Sequence, residues 1–469
     1  MKYHALILWS ISFITFLFMW GCKEDPKEED GTCDMENPNC NDGLVCAEVQ
    51  NAEPMCLAPV KIVGHVLNIS DDAPIEGALI QARDANGAAA GTSAVSDAEG
   101  AYELIVPAVR DAEGKPLSTN SDYTLAAQAQ GFELFPTAVR PSLPIDVSTS
   151  VANGDSEYAV ENAITTIKLF PIQDAADSLG IISGTIESDN CAGILVVAEA
   201  DASGVVGFSD SECEYTIFNV PAGTYTVMGY AVGVQLTAAE ATVATGNETV
   251  DVDLTVSNNA LSTVSGNVNI VNAPGDAETS VILAVESTFV EGTALAQIPP
   301  GLRVGPITGQ FVFENVPDGR YVVLAAYEND FLVRDPDQSI GGTSIVHIQV
   351  PDPDSGNNIV LPESFKVTEA LEVVSPGAEE PTQVDDTNLI LEWVDDSSEQ
   401  SYEISVIDAL GNLIWETTID GVSGSETASV MYAGDPLEEG MYYQFKVTSI
   451  SNGGSPLSTT EDLKGVFYK

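Results

Sequence analysis

Apolar and polar residues alternate along this chain in short runs, and the same order of runs appears three times. The first run is built around a glycine: VKIVGHVLNI from Val60, LGIISGTIES from Leu179 and LSTVSGNVNI from Leu261. Alternation with a period of two marks a strand with one buried face. A second strand follows in GALIQARD from Gly77, GILVVAEAD from Gly193 and TSVILAVES from Thr279. A turn then leads into an aromatic strand: SDAEGAYELIVP from Ser96, EYTIFNVP from Glu214 and GQFVFENVP from Gly309. The fourth run is YTLAAQAQGF from Tyr123, GTYTVMGYAVG from Gly223 and GRYVVLAAYEND from Gly319. An apolar strand closes each set: ITTIKLFPI from Ile164, ETVDVDLTV from Glu248 and NNIVLPE from Asn357. A different pattern fills the end of the chain. There Trp393 alternates within one strand, Tyr402, Ile404 and Val406 within the next, and Tyr443, Phe445 and Val447 share one face of another.

One phrase is nearly repeated: NVPAGTYTV at Asn219–Val227 and NVPDGRYVV at Asn315–Val323. Proline ends a central strand because it cannot donate to the ladder. Pro-x-Gly is expected to supply the fixed and the permissive φ of a tight reversal. The tyrosine then enters the next strand facing the core, with its hydroxyl at the rim. The phrase is turn chemistry and holds no nucleophile, metal-ligand set or phosphate loop.

The order of runs from Val60 to Glu363 resembles the carboxypeptidase regulatory-like domain, a transthyretin-like β-sandwich. The first set is the nearest to that family's pattern, through PIEGALIQARDANG, SDAEGAYELIVP and YTLAAQAQGF. It departs by the insertion AVRDAEGKPLSTNSD between Pro107 and Tyr123, and the second and third sets lack the P-x-x-G-A opening. The last segment, with its early tryptophan and late Y-x-F-x-V, resembles a fibronectin type III sandwich. The fold class expected is all-β: tandem antiparallel β-sandwich domains after a lipoprotein signal and a small disulfide-rich segment. The divisions read from the sequence are 1–21 signal, 22–32 acidic tether, 33–58 cysteine-rich segment, sandwiches at 60–172, 179–257 and 261–363, and a fibronectin-like sandwich at 367–469.

The chain opens MKYHALILWSISFITFLFMWGC, with Lys2 as a short positive region and an apolar stretch from Ala5 to Trp20. This resembles a bacterial lipoprotein signal, in which Cys22 is acylated and Gly21 is the small residue before it. Met19 and Trp20 depart from the usual pattern, and an uncleaved anchor or an ordinary secretory signal are the alternatives. Lys23 follows, where the aspartate linked to inner-membrane retention in some bacteria is absent, which points to the outer membrane. The stretch KEDPKEEDGT reads as a flexible tether.

Of the chain's 7 cysteines, setting Cys22 aside as the lipid site leaves an even set for disulfides: Cys33, Cys40, Cys46, Cys56, Cys191 and Cys213. The connectivity of the first four cannot be read from spacing. Zinc is the rival there, but the gaps are long and no histidine is near.

Composition bounds the function. A formal charge of −55 excludes nucleic acid as a partner, because phosphate binding needs Lys and Arg. Between Lys168 and Lys366 only Arg303, Arg320 and Arg334 are basic. That surface reads as solvated acid, with cation binding or attraction to basic partners as the functional alternative. A peptidase reading fails because His65 and His347 are followed by VLN and IQV, not by the x-x-Glu that a zinc carboxypeptidase needs. There is no Gly-x-Ser-x-Gly elbow. The chain is therefore read as no enzyme and as needing no cofactor. Calcium is the one candidate ion, through the loop pairs Asp335/Asp337 and Asp352/Asp354, although neither loop completes the helix-loop-helix pattern. The expected function is a non-enzymatic, lipid-anchored rod for adhesion, envelope architecture or partner binding, tied to the membrane by its N-terminal lipid and offering a protein or polysaccharide ligand its loops and edges. The alternative is a carbohydrate-binding accessory lipoprotein, with Tyr327, Phe331, Trp415 and Tyr432 as candidate aromatics.

Overall fold

The computed structural model of the chain describes residues 31–469 apart from 36–39, 42, 85–86, 137–138, 153–156, 173–177, 189–190, 202, 274, 276, 291–295, 328–329, 397 and 423–425. The signal, Cys22 and most of the tether lie outside the described residues. The chain is all-β; the only helical elements among the described residues are single 3-10 turns.

Three units share one topology. In each, the opening strand pairs antiparallel with the aromatic strand: Val60–Asn68 with Ala101–Val106, Gly180–Glu187 with Glu214–Val220, and Ser262–Val271 with Gln310–Val316. The same opening strand takes the closing strand in parallel, in two pieces. The second sheet is built on Leu79–Arg83, Leu195–Ala200 and Thr279–Val285. Each of these is flanked by the next strand in the chain (Ala89–Val95, Ser203–Ser209 or Arg303–Ile307) and by the strand after the turn (Asp122–Gln128, Gly223–Tyr230 or Gly319–Ala325). In the second unit Ser203–Ser209 also pairs with Glu214–Val220 and so joins the two sheets. Between the sheets lies one apolar core per unit, centred on residues such as Ile62, Leu104 and Leu125 in the first.

The glycine inside each opening strand has a packing reason. Gly64, Gly184 and Gly266 stand directly opposite Tyr102, Tyr215 and Phe311. A Cβ at Gly64 would lie 2.0 Å from the Thr165 carbonyl oxygen, and one at Gly184 would lie 2.2 Å from that of Val252. Those two carbonyls accept the hydroxyls of Tyr102 and Tyr215. The missing side chain lets the aromatic strand reach across and hold the closing strand.

The fourth unit sets the sheet Val373–Ser375, Ile390–Val394, Thr427–Met431 against a larger one carrying Ser401–Asp408 and Tyr442–Ile450. Trp393 is fully buried and meets Tyr402 edge-on at 5.2 Å. The cysteine-rich segment is a hairpin, Val45–Ala47 with Met55–Leu57, held by Cys33–Cys46 and Cys40–Cys56. Cys191–Cys213 forms the third disulfide.

Two expectations need correction. The third unit does not end at 363, because Phe365–Glu369 pairs in parallel with its opening strand; the expected start of the last unit at 367 falls inside that strand. Nor do the units form an extended rod. Val139 and Phe170 of the first unit pack against Ile407 and Ala409 of the fourth. Arg140 lies over the rings of Phe135 (4.7 Å), Phe170 (5.2 Å) and Tyr442 (5.3 Å), which bridges the two units. Burial pulls its guanidinium down to about 10, with Tyr442 opposing, so it stays cationic at neutral pH. Apolar surface and a buried cation outweigh the expected separation of the ends.

Candidate functional site

The repeated phrase is where the units meet. Its left-handed residue is asparagine: Asn219 has φ 60° and Asn315 φ 58°. Asparagine tolerates this region better than most residues. The expectation that the glycine takes this role is overturned, since neither Gly223 nor Gly319 has a positive φ. Gly319 is needed for space instead: a Cβ there would lie 2.6 Å from the Tyr230 ring of the preceding unit. The tyrosine does face the core, and its hydroxyl donates back to the proline of the turn, Tyr225 to the Pro221 carbonyl at 2.9 Å and Tyr321 to that of Pro317 at 3.0 Å. In the first unit Tyr123 donates to the Pro107 carbonyl at 2.7 Å. The bond therefore survives across the insertion, which loops out between the two residues.

At the first junction, the Asn219 carboxamide fastens onto the turn after Asp122–Gln128. Its Nδ2 donates to the carbonyls of Ala129 (3.0 Å) and Phe132 (2.8 Å), and its Oδ1 accepts from the Gly131 N–H at 2.6 Å. Gln130 answers by accepting the Asn219 N–H at 3.1 Å and donating to the Leu179 carbonyl at 2.9 Å. Gln81 and Gln128 donate to the Ser209 and Thr216 carbonyls, each at 3.0 Å.

The second junction repeats the placement with other atoms. The turn after Gly223–Tyr230 meets the Asn315 turn: the Gly233 N–H donates to the Asn315 carbonyl at 2.8 Å, and Gln235 Oε1 accepts the Asp318 N–H at 2.9 Å. Tyr230 is fully buried against Tyr321, with centroids 5.9 Å apart, and donates to Glu199 Oε1 at 2.8 Å. Ser287 of the third unit donates to the same oxygen at 3.0 Å.

The insertion of the first unit occupies the equivalent position and docks the cysteine-rich segment. Arg110, 1% exposed, exchanges backbone hydrogen bonds with Glu48 and Gln50, and its guanidinium donates to the carbonyls of Ala58 (2.8 Å) and Gly114 (2.9 Å). One location in the unit, the turn after the aromatic strand, thus contacts whatever precedes it in the chain.

The third junction is ionic. Glu461 Oε1 accepts the N–H of Phe331 at 2.7 Å, and Asp462 pairs with Arg334 at 2.6 Å and Lys446 at 3.0 Å. Burial pushes the Glu461 carboxyl up to about 7. Burial also acts to raise Asp462, but Arg334 and Lys446 outweigh it and hold the carboxyl well below the usual range.

The sequence candidates fall elsewhere. Among the described residues, one group of three His, Cys, Asp or Glu brings its ligand atoms together, Cys33, Cys40 and Cys56, and all three are spent in disulfides. The candidate calcium carboxylates do not converge. Asp335 pairs with Lys366 at 2.7 Å, while Asp337 and Asp352 accept from Ser339 and Ser355 in their own loops. The Asp354 N–H donates to Asp352 at 3.0 Å. His347 is exposed and pairs with Glu286 at 2.7 Å, and His65 lies half-buried on its strand. Of the four candidate aromatics, Phe331 is exposed, Tyr327 is partly buried, and Trp415 meets the buried Tyr432 edge-on at 68°. The sequence reading missed Asn219, Gln130, Gln235, Arg110 and the Glu461–Asp462 pair. The one available signal was an asparagine repeated just before a Val-Pro turn.

No protein-family profile and no curated protein matches the chain. Among solved structures it is similar to the Bacillus anthracis TIE protein, at 9% identity over 92% of this chain and 75% of that one, with a TM-score of 0.15. It is also similar to a streptococcal ancillary pilin, at 11% identity over 66% of this chain and 98% of that one (TM-score 0.17). Two B repeat units of the collagen-binding protein of Staphylococcus aureus match at 13% identity over 87% of this chain and 99% of theirs (TM-score 0.15).

Proposed function

We propose that this chain is a non-enzymatic, lipid-anchored protein of a bacterial envelope, held at the outer membrane through Cys22. In this reading its first three units are regulatory-like sandwiches, its last is fibronectin-like, and together they form a scaffold for adhesion or partner binding. The observation that carries the reading is where the distinctive residues go. Asn219, Gln81, Gln128, Gln130 and Gln235 and the charges Glu461 and Asp462 are consumed in joining units, and the described cysteines are consumed in disulfides, which suit an oxidising compartment. Ordered junctions hold exposed loops and edges in fixed relation, as partner binding requires. Two of the aromatic candidates for a glycan platform, Trp415 and Tyr432, meet edge-on, a geometry that favours packing for that pair.

The test is protease added to intact cells, with the fourth unit probed and a periplasmic protein as control. Cleavage with the control spared supports an outward-facing scaffold. Protection until lysis sinks the adhesion reading and leaves a periplasmic scaffold, whose partners crosslinking would identify.

A further inference from the structure

The folding-back of the fourth unit onto the first leaves a half-open cavity of about 650 Å³ whose wall draws residues from all four units. Its size lies within the range of small-molecule sites, about 300–1,000 Å³. Phe132, Phe218 and Phe289 supply aromatic surface from three different units, and Leu410 comes from the fourth. Among the described residues the wall contains one charged residue, Glu133, and no basic one. Glu133 has no ion-pair or side-chain hydrogen-bond partner among the described residues, and burial raises its carboxyl above the usual range. A second acceptor stands in the same wall. Gln128 is 3% exposed, and its Oε1 has no hydrogen-bond partner among the described residues. Acceptors without donors in an aromatic-lined cavity call for an occupant that brings its own donor, and a carboxylate favours one that brings positive charge. Aromatic faces attract the same kind of occupant through their quadrupoles.

We propose that this cavity binds a small organic cation, a protonated amine on an apolar or aromatic body, with the ammonium on Glu133. The occupant touches all four units, so its binding also stabilises the folded-back arrangement against unfolding. This site is independent of where the protein is anchored.

The experiment uses the full-length chain in lipid nanodiscs, titrated calorimetrically with tryptamine and with its neutral alcohol analogue tryptophol, after subtraction of empty nanodiscs. The expected result is saturable binding of one tryptamine per chain, about tenfold tighter than tryptophol, the difference that one charge-assisted hydrogen bond supplies. Glu133→Gln should erase that preference while leaving tryptophol affinity unchanged. Leu410→Trp, at a half-exposed wall position, should weaken both ligands by reducing the space. Circular dichroism checks that both variants fold. Equal affinity for the two ligands, a preference that survives Glu133→Gln, binding untouched by Leu410→Trp, or no saturable binding each overturns the proposal.

Discussion

The first junction and the third solve the same problem with opposite chemistry. Between the first two units, neutral carboxamides bind backbone: Asn219, Gln81, Gln128 and Gln130 reach across to carbonyls and N–H groups. Between the third and fourth, carboxylates do it: Glu461 takes a backbone N–H, and Asp462 lies between two cations. A carboxamide offers both donor and acceptor and does not titrate, so the first two units are joined in a way indifferent to pH. The fourth unit is of another kind and lacks the turn that carries Asn219. Its attachment falls to charged groups, whose contribution depends on how completely each is paired. The contrast teaches that repetition of a unit brings repetition of the place of its joint, while a foreign unit is attached by other means.

Breaking the ionic joint should have the largest effect. Asp462→Ala leaves Arg334 and Lys446 facing each other without their anion, and loss of one partner of a buried pair costs about 3–5 kcal/mol. Trp393 and Trp415 lie in the fourth unit and are the two tryptophans that follow the signal. Urea unfolding followed by tryptophan fluorescence should therefore show that unit melting earlier.

Breaking the carboxamide joint comes next. Asn219→Ala removes three hydrogen bonds and places alanine at φ 60°, so a loss of about 3 kcal/mol is expected in urea unfolding by far-UV circular dichroism. Asn219→Gly removes the same bonds without the backbone strain and should recover about 1 kcal/mol of that loss. Neither change should depend on pH.

The third joint should show such a dependence. Glu461 ionises at about 7 in the folded chain, against an ordinary value of 4.5. The folded state therefore holds this proton more tightly than the unfolded one. Its contribution is most favourable below pH 4.5, declines as pH rises from 4.5 to 7, and is constant above that. Subtracting the stability of Glu461→Gln from that of the parent across this window should expose a decline of about 2 kcal/mol. A flat difference would place the carboxyl in solvent.

How much of this was legible follows from what alternation reports. Val60–Asn68, Gly180–Glu187 and Ser262–Val271 bury every second residue over part or all of their length, and their pattern shows it. Ala89–Val95 (AAGTSAV) is built mostly from small residues and Arg303–Ile307 (RVGPI) is interrupted by glycine and proline, so no period marks these edge strands. The disulfide pairing was hidden for another reason. Cys46 stands opposite Cys56 in the hairpin, yet each bonds to a cysteine outside it. The junctions were hidden because their partners lie far apart in sequence: Asn219 acts on residues 129–132, and hydrophobic periodicity carries no information about a carboxamide on a turn.

The smallest expected effect sharpens the comparison most, because it separates the two roles of the repeated asparagine. Asn219 and Asn315 share a φ near 60° and the same place before Val-Pro, but the Asn315 side chain is exposed and makes no hydrogen bond among the described residues. Its contribution to the second junction is its carbonyl, which accepts the Gly233 N–H and which any residue carries. Asn315→Ala should therefore cost only the left-handed strain, about 1 kcal/mol, and Asn315→Gly should cost nearly nothing. If asparagine is retained for conformation alone, glycine replaces it freely at 315 and not at 219. Equal losses for Asn315→Gly and Asn219→Gly in the same urea series would mean that the second joint also rests on a carboxamide, and the distinction between the two turns would fall.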